Sequence, residues 1–256
     1  MTTKQYCLAI YDWDTGVGCL DIFNSVKEYF LENDFFLHDF SVLVSGWPRS
    51  KKLRIDQIDH EIKNRSDVKS IEGSFLGDCK DGYFFITGSA SPASFAFVRV
   101  PIYLESETLF NSLIDLLSSK LKISYGCVFC WDKDHDSMLY ALGITHQISD
   151  GDPDELQSEG DARWFNERIM NPPVGRRFKN QGMFRDVYDA NIINESHLNC
   201  TVGGLIFTEA VRRNSWGRII KYKNSTWVWI TKGADVKEIV SRLSAEGLLI
   251  QYERVA

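Results

Sequence analysis

Ile71-Glu-Gly-Ser-Phe-Leu76, Gly82-Tyr-Phe-Phe-Ile-Thr-Gly88 and Ser94-Phe-Ala-Phe-Val-Arg-Val-Pro-Ile-Tyr103 follow one another with Gly-Asp, Asp-Gly and Ser-Pro turns between them. Runs rich in aromatic and β-branched residues, punctuated in this way, read as strands of a meander. Upstream, a strand at Tyr6 to Tyr11 leads through Asp-Trp-Asp-Thr-Gly-Val-Gly into a helix at Cys19 to Glu32. Cys19, Ile22, Phe23, Val26 and Phe30 fall on one face of that helix, which must pack on a sheet. Leu37 to Ser45 reads as a further strand and Ile55 to Arg65 as a short charged helix. Downstream, Glu107 to Lys120 carries Leu109, Phe110, Leu113, Ile114 and Leu117 at helical spacing, and Tyr125 to Trp131 reads as a strand. Helices separated by hairpins predict an α+β fold: mostly antiparallel sheets, helices packed on one face, two subdomains.

Ser149 to Asp161 lacks apolar periodicity and is full of turn formers, which predicts a loop or linker. Ala162 to Met170 reads as a short helix and Asn171-Pro-Pro-Val-Gly as an irregular connection. Arg218 to Tyr222 is a strand, and Thr226 to Thr231 is apolar on both faces, as expected of a covered central strand. A helix at Ala234 to Glu246, stopped by Gly247, and a strand at Leu248 to Tyr252 complete the pattern. The expected organisation is an N-terminal subdomain over 1–148, an acidic linker over 149–161 and a C-terminal subdomain over 162–256.

The 256 residues, 44% hydrophobic and 13% aromatic with six prolines, suffice for a real core. The apolar run before Asp12 and Asp14 is too short for a signal-peptide core, and no stretch approaches the roughly 18 apolar residues that span a bilayer. These features predict a cytoplasmic protein without membrane contact. Cys7, Cys19, Cys79, Cys127, Cys130 and Cys200 form no framework and read as reduced thiols. Cys127-Val-Phe-Cys130 is a C-x-x-C, but strand residues three apart point to opposite faces and do not converge on one ion.

Charge is unevenly distributed. Lys and Arg number 29 against 35 Asp and Glu, and residues 149–161 hold Asp150, Asp152, Asp154, Glu155, Glu159 and Asp161 with no base. Without those six acids the chain has 29 of each sign, so one short stretch carries the whole net charge of −6. Free in solvent, such a cluster steers a basic partner. It also has a domestic alternative, because Arg163, Arg168, Arg176, Arg177, Lys179 and Arg185 follow at once and can neutralise it.

Other motifs lack essential parts. Asp132, Asp134 and Asp136 occupy calcium-loop positions, yet Ser137 and Gly143 stand where glycine and a bidentate glutamate belong. His60-Glu61 has no second histidine at zinc-protease spacing. Gly16-Val-Gly18 would need a third glycine where Asp21 sits, and an acid there repels a pyrophosphate. No G-x-S-x-G or Walker-type motif is present, and His38, His60, His135, His146 and His197 have no spacing that forces them together. Trp227 and Trp229 belong to a core strand, whereas Trp13, Trp47 and Trp164 lie in or beside predicted loops, where tryptophan acts as core or as interface anchor. A pI near 5.4 argues against nucleic acid as a partner.

Gly182-Met-Phe-Arg185-Asp186-Val-Tyr188-Asp-Ala-Asn191-Ile-Ile-Asn-Glu-Ser-His197-Leu, then Val202-Gly203-Gly204, Trp227-Val-Trp229 and Ala245-Glu-Gly247-Leu-Leu-Ile250, resemble the C-terminal half of bacterial immunity proteins found beside polymorphic toxins. Those proteins typically carry an R-D-V-Y run, an H-L turn, a glycine pair, a tryptophan-rich strand and a final helix. The match covers about residues 180–252; Asp189 replaces a usual proline, and the N-terminal half offers no counterpart. The resemblance implies a cytosolic antitoxin that occludes a toxin delivered by type VI or contact-dependent secretion. Read from the residues alone, the run supplies an Arg–Asp pair and a buried tyrosine fixing the approach to the second subdomain.

The expected function is therefore a non-catalytic inhibitor without metal or cofactor, binding a protein toxin such as a nuclease. Its expected contacts are Asp132, Asp134, Asp136, Asp150, Asp152, Asp154, Glu155, Glu159, Asp161 and Trp164. Two alternatives stay open: a hydrolase with an unrecognised site, and a structural or regulatory module pairing through a strand edge.

Overall fold

The computed structural model describes residues 4–13, 16–76, 82–88, 94–101, 106–132, 136–144, 163, 165–167 and 182–250. The main strands are β1 (Lys4–Trp13), β2 (Phe36–Val44), β3 (Lys51–Leu53), β4 (Val68–Leu76), β5 (Gly82–Thr87), β6 (Phe95–Pro101), β7 (Ile123–Asp132), β8 (Ala190–Ile193), β11 (Arg218–Lys221) and β12 (Trp227–Ile230). They form one ten-stranded sheet in the order β11-β12-β8-β7-β1-β6-β5-β4-β2-β3. Every neighbouring pair is antiparallel. The meander β4-β5-β6 is present, and the α+β class is that read from the sequence. β7 pairs with β8 through Gly126↔Ile192, Cys127↔Asn191 and Val128↔Ala190, so strands from both halves of the chain share one sheet. A small hairpin, β9 (Thr201–Val202) with β10 (Leu205–Ile206), turns at Gly203 and Gly204, whose φ values of 58° and 77° suit a two-residue turn.

From Cys7 to Tyr11, β1 alternates between two cores. Leu8 and Ile10 enter the first, with Phe23 and Phe30 of α1 (Cys19–Glu32), Ile58 and Ile62 of α2 (Ile55–Ile62), and Phe110, Leu113 and Leu117 of α3 (Ser106–Lys120). Cys7, Ala9 and Tyr11 enter the second, with Ala141 of α4 (Ser137–Ala141), Phe207, Ala210 and Val211 of α6 (Phe207–Arg213), and Ile239 and Leu243 of α7 (Val236–Ala245). The short α5 (Glu195–Leu198) contributes buried His197. Helices thus cover both faces, a correction to the expected single face. The physical reason is that β1 and β7 are apolar on both sides and each side must leave water. A fully buried Phe contributes on the order of 2 kcal/mol, and Phe30 stacks on Phe75 at 4.0 Å between centroids.

The α1 start shows why Asp21 stands there: its Oδ2 accepts the Gly18 N–H at 2.9 Å, satisfying a helix-end donor. Cys127 and Cys130 point to opposite sides of the sheet, as strand alternation requires: Cys127 lies in the second core and its neighbour Val128 in the first. The second-face helices stop near Tyr83. Beyond it, among the described residues, no helix packs on that face of β2, β3 and β4, and Ser41, Glu72 and Ser74 are half-buried there. Among the described residues no helix is long and apolar enough to cross a membrane.

Candidate functional site

The uncovered half of the second face forms a groove of about 260 Å³ lined by Asp39, Phe40, Ser41, Lys52, Glu72, Gly73, Ser74 and Tyr83. Its floor depends on Gly73, where an added Cβ would meet the Asp39 carbonyl oxygen and Phe84 Cζ, each at 2.8 Å. β2 also shifts register between Leu37 and Phe40, which turns Asp39 outward.

At the inner end of the groove, register brings separate strands together. Tyr83 of β5 faces Arg99 of β6, which faces Cys7 of β1, and Gln5 faces Trp131 of β7. The Tyr83 hydroxyl donates to Glu72 Oε2 at 3.0 Å and lies 3.5 Å from the Met138 sulfur. The Arg99 guanidinium sits 5.3 Å from the Tyr83 ring centroid. Burial, then the neighbouring Glu72 charge, raises the Tyr83 phenol pKa, with Asp136 adding to it. Gln5 Oε1, Arg99 Nε and Trp131 Nε1 have no hydrogen-bond partner among the described residues. Asp136 caps α4 by accepting the Met138 and Leu139 N–H groups at 3.0 and 3.1 Å while its residue stays exposed. Asp39, Glu72 and Lys52 line the groove, and Asp136 and Arg99 act electrostatically on Tyr83 at its inner end.

Of the residues expected from sequence to make contacts, Asp136 therefore lies at this site. Asp132 ends β7 immediately before it, its side chain outside the described residues. Asp134, Asp150, Asp152, Asp154, Glu155, Glu159, Asp161 and Trp164 also lie outside the described residues. Asp39, Glu72, Tyr83 and Arg99 escaped the sequence reading. Each is a single polar position in a strand, and only register gathers them.

The Arg185-Asp186-Val187-Tyr188 run enters the second core through buried Val187 and Tyr188. Arg185 Nη1 donates to Tyr11 Oη at 3.1 Å and to the Ala141 carbonyl at 2.9 Å, and Nη2 donates to the Tyr140 carbonyl. The guanidinium also stacks between Tyr140 and Phe165, at 4.4 and 4.2 Å. Burial opposes its charge, but the surrounding Tyr188, Tyr11 and Tyr140 oxygens outweigh it and raise the pKa. Tyr188 is buried and its hydroxyl meets that of Tyr140 at 3.1 Å, whereas Asp186 accepts the Val187 N–H at 2.7 Å. Arg185 thereby ties the end of α4 to the sheet.

Three histidines lie among the described residues. His38 pairs with Asp39 at 3.1 Å on the surface, and His60 is exposed. His197 is fully buried: Nε2–H donates to the Met183 carbonyl at 3.1 Å, Nδ1 accepts the Asn194 N–H at 3.4 Å, and burial lowers its pKa to about 4. Its ring stacks on Tyr125 at 5.6 Å. His135 and His146 lie outside the described residues. Among the described residues no group of three His, Cys, Asp or Glu side chains is placed to hold a metal ion.

No family model and no curated protein sequence matches the chain. Among solved structures the chain is similar to the Pseudomonas aeruginosa T6SS protein PA0821, at 13% sequence identity and a TM-score of 0.56. The likeness covers 99% of this chain and 78% of that one, and at this identity it is a likeness of fold.

Proposed function

We propose that the chain is a cytoplasmic, non-catalytic immunity protein of a type VI secretion context, which binds a cognate toxin and occludes its basic working surface. The observation that carries this reading is that Asp39 and Glu72 line the uncovered groove, with Asp136 close enough to Tyr83 at its inner end to raise the phenol's pKa. No histidine or cysteine is among the described residues that line the groove, and His38 pairs with Asp39 at 3.1 Å. Carboxylates displayed in this way attract and orient a cationic partner without chemistry of their own. The acidic run from Asp150 to Asp161, twenty or so residues further along, extends the same sign in sequence. Support of a second kind comes from the fold, which is shared over nearly the whole chain with a protein described as belonging to the T6SS, and from the R-D-V-Y resemblance.

The test is co-expression with the product of the neighbouring gene, scored by survival and by co-purification. Rescue together with a stable complex supports the reading. Absence of both ends it, and so does rescue by a catalytic amount of the protein that forms no complex.

A further inference from the structure

The opposite edge of the sheet carries a groove of the other sign. About 640 Å³ in volume, it lies between α6 and the β11–β12 hairpin. Leu198, Val211, Ile219 and Trp227 give it apolar walls, while Arg212, Arg218 and Lys221 supply the cations. No acid lines it. Glu209, the nearby carboxylate, is engaged by Arg213 at 2.7 Å and by Arg212 at 3.9 Å. Arg218 and Lys221 have no ion pair among the described residues, and both are exposed. The Lys221 ammonium lies 5.7 Å from the Trp227 ring centroid.

Two backbone features open the groove. β11 is the outermost strand, so its far edge has no partner strand among the described residues. Ser215 and Gly217 hold φ values of 56° and 96°, turning the chain sharply from α6 into β11; a Cβ at 217 would collide with the Ile230 carbonyl.

We propose that this groove is a docking site for an extended acidic segment of a protein partner, added as a further strand beside β11. Main-chain hydrogen bonds to the free strand edge supply affinity, and alternate side chains supply selectivity. On the groove side the acidic set meets Arg212 and Lys221 beside Ile219 and Trp227, and the alternate apolar set lies on the side of Ile220. A nucleic acid fits less well, because four apolar side chains offer nothing to a phosphate backbone. This surface is separate from the acidic groove, and its test does not involve the toxin.

The probe is a short blocked peptide alternating glutamate and valine, fluorescently labelled and titrated with the full chain at low salt. Its lysine–valine counterpart and a DNA duplex are run in parallel. Saturable binding of the acidic peptide is expected, at least about tenfold weaker to the Arg212→Glu/Lys221→Glu protein, a difference of about 1.4 kcal/mol. Both substituted side chains are exposed, and an unchanged circular dichroism spectrum and melting temperature confirm that the variant folds. N-methylation of alternate peptide amides, which keeps every charge but blocks strand pairing, is expected to abolish binding. The proposal is overturned if the acidic peptide fails to bind or binds the charge-reversed protein equally. It is also overturned if the N-methylated peptide binds as well, or if the lysine peptide or the duplex binds more tightly.

Discussion

Arg185 and Ala141, forty-four positions apart, are joined by a 2.9 Å hydrogen bond from Nη1 to the Ala141 carbonyl oxygen at the end of α4. The same guanidinium reaches the Tyr140 carbonyl and the Tyr11 hydroxyl. One side chain therefore fixes the cap-bearing helix of the acidic groove against the central strand.

Replacing Arg185 orphans several inward-facing acceptors at once. Arg185→Met is expected to destabilise the fold by about 3 kcal/mol, and Arg185→Lys, which cannot reproduce the planar fork, by about 2 kcal/mol. Urea unfolding with an unchanged m-value measures both. Equal stability of the two variants and the parent would contradict the role assigned to this residue.

His197 gives a specific acid sensitivity. Its folded pKa is lowered from 6.5 to about 4, so below pH 6.5 the unfolded chain takes up a proton that the native chain refuses. Stability is complete above pH 6.5 and is lost as pH falls toward 4, by about 3 kcal/mol over that window. His197→Gln is expected to flatten the pH dependence of urea unfolding between pH 7 and 4, whatever it does to stability at pH 7.

Thiol reactivity separates buried from accessible cysteines. Burial pushes Cys7, Cys19 and Cys127 up to about 12 and Cys200 to about 11. With iodoacetamide at pH 8 the native protein is expected to leave Cys7, Cys19 and Cys127 unlabelled, while all become reactive in denaturant. Mass spectrometry of digested protein reads this out; native labelling of Cys127 would be incompatible with its place in the second core.

Neutralising the groove isosterically isolates its charge. Asp39→Asn, Glu72→Gln and Asp136→Asn keep the hydrogen bonds to Tyr83 and to the α4 amides but remove three negative charges. The triple variant is expected to associate with the toxin about tenfold more slowly at low salt and at nearly the parental rate in molar salt. Stopped-flow association rates decide between this and a contact made elsewhere.

Long periodic segments were legible in the sequence: α1 occupies the very span its apolar stripe marked, and β12 is covered on both faces by Val228 and Trp229 in different cores. Short elements were not. β8 is four residues long with buried Asn191 in its middle, held by the Tyr188 carbonyl at 3.1 Å, and only pairing with β7 and β12 makes it a strand. α6 likewise escaped notice, because its three buried residues depend on a core built from distant strands. At the candidate site Asp136 could be singled out as an acid in a turn, whereas Glu72, Tyr83 and Arg99 are neighbours through strand register. A local reading has no access to such register between segments. The R-D-V-Y run was visible as a motif, but the partners of its arginine lie on β1 and α4.

The central position of β1 has a consequence for synthesis on the ribosome. This strand is made first, yet its two neighbours, β6 and β7, begin only at Phe95 and Ile123. Until β6 has left the exit tunnel both edges of β1 are open, and one stays open until β7 follows. Closure of the central strand therefore waits for residues as far along as Asp132.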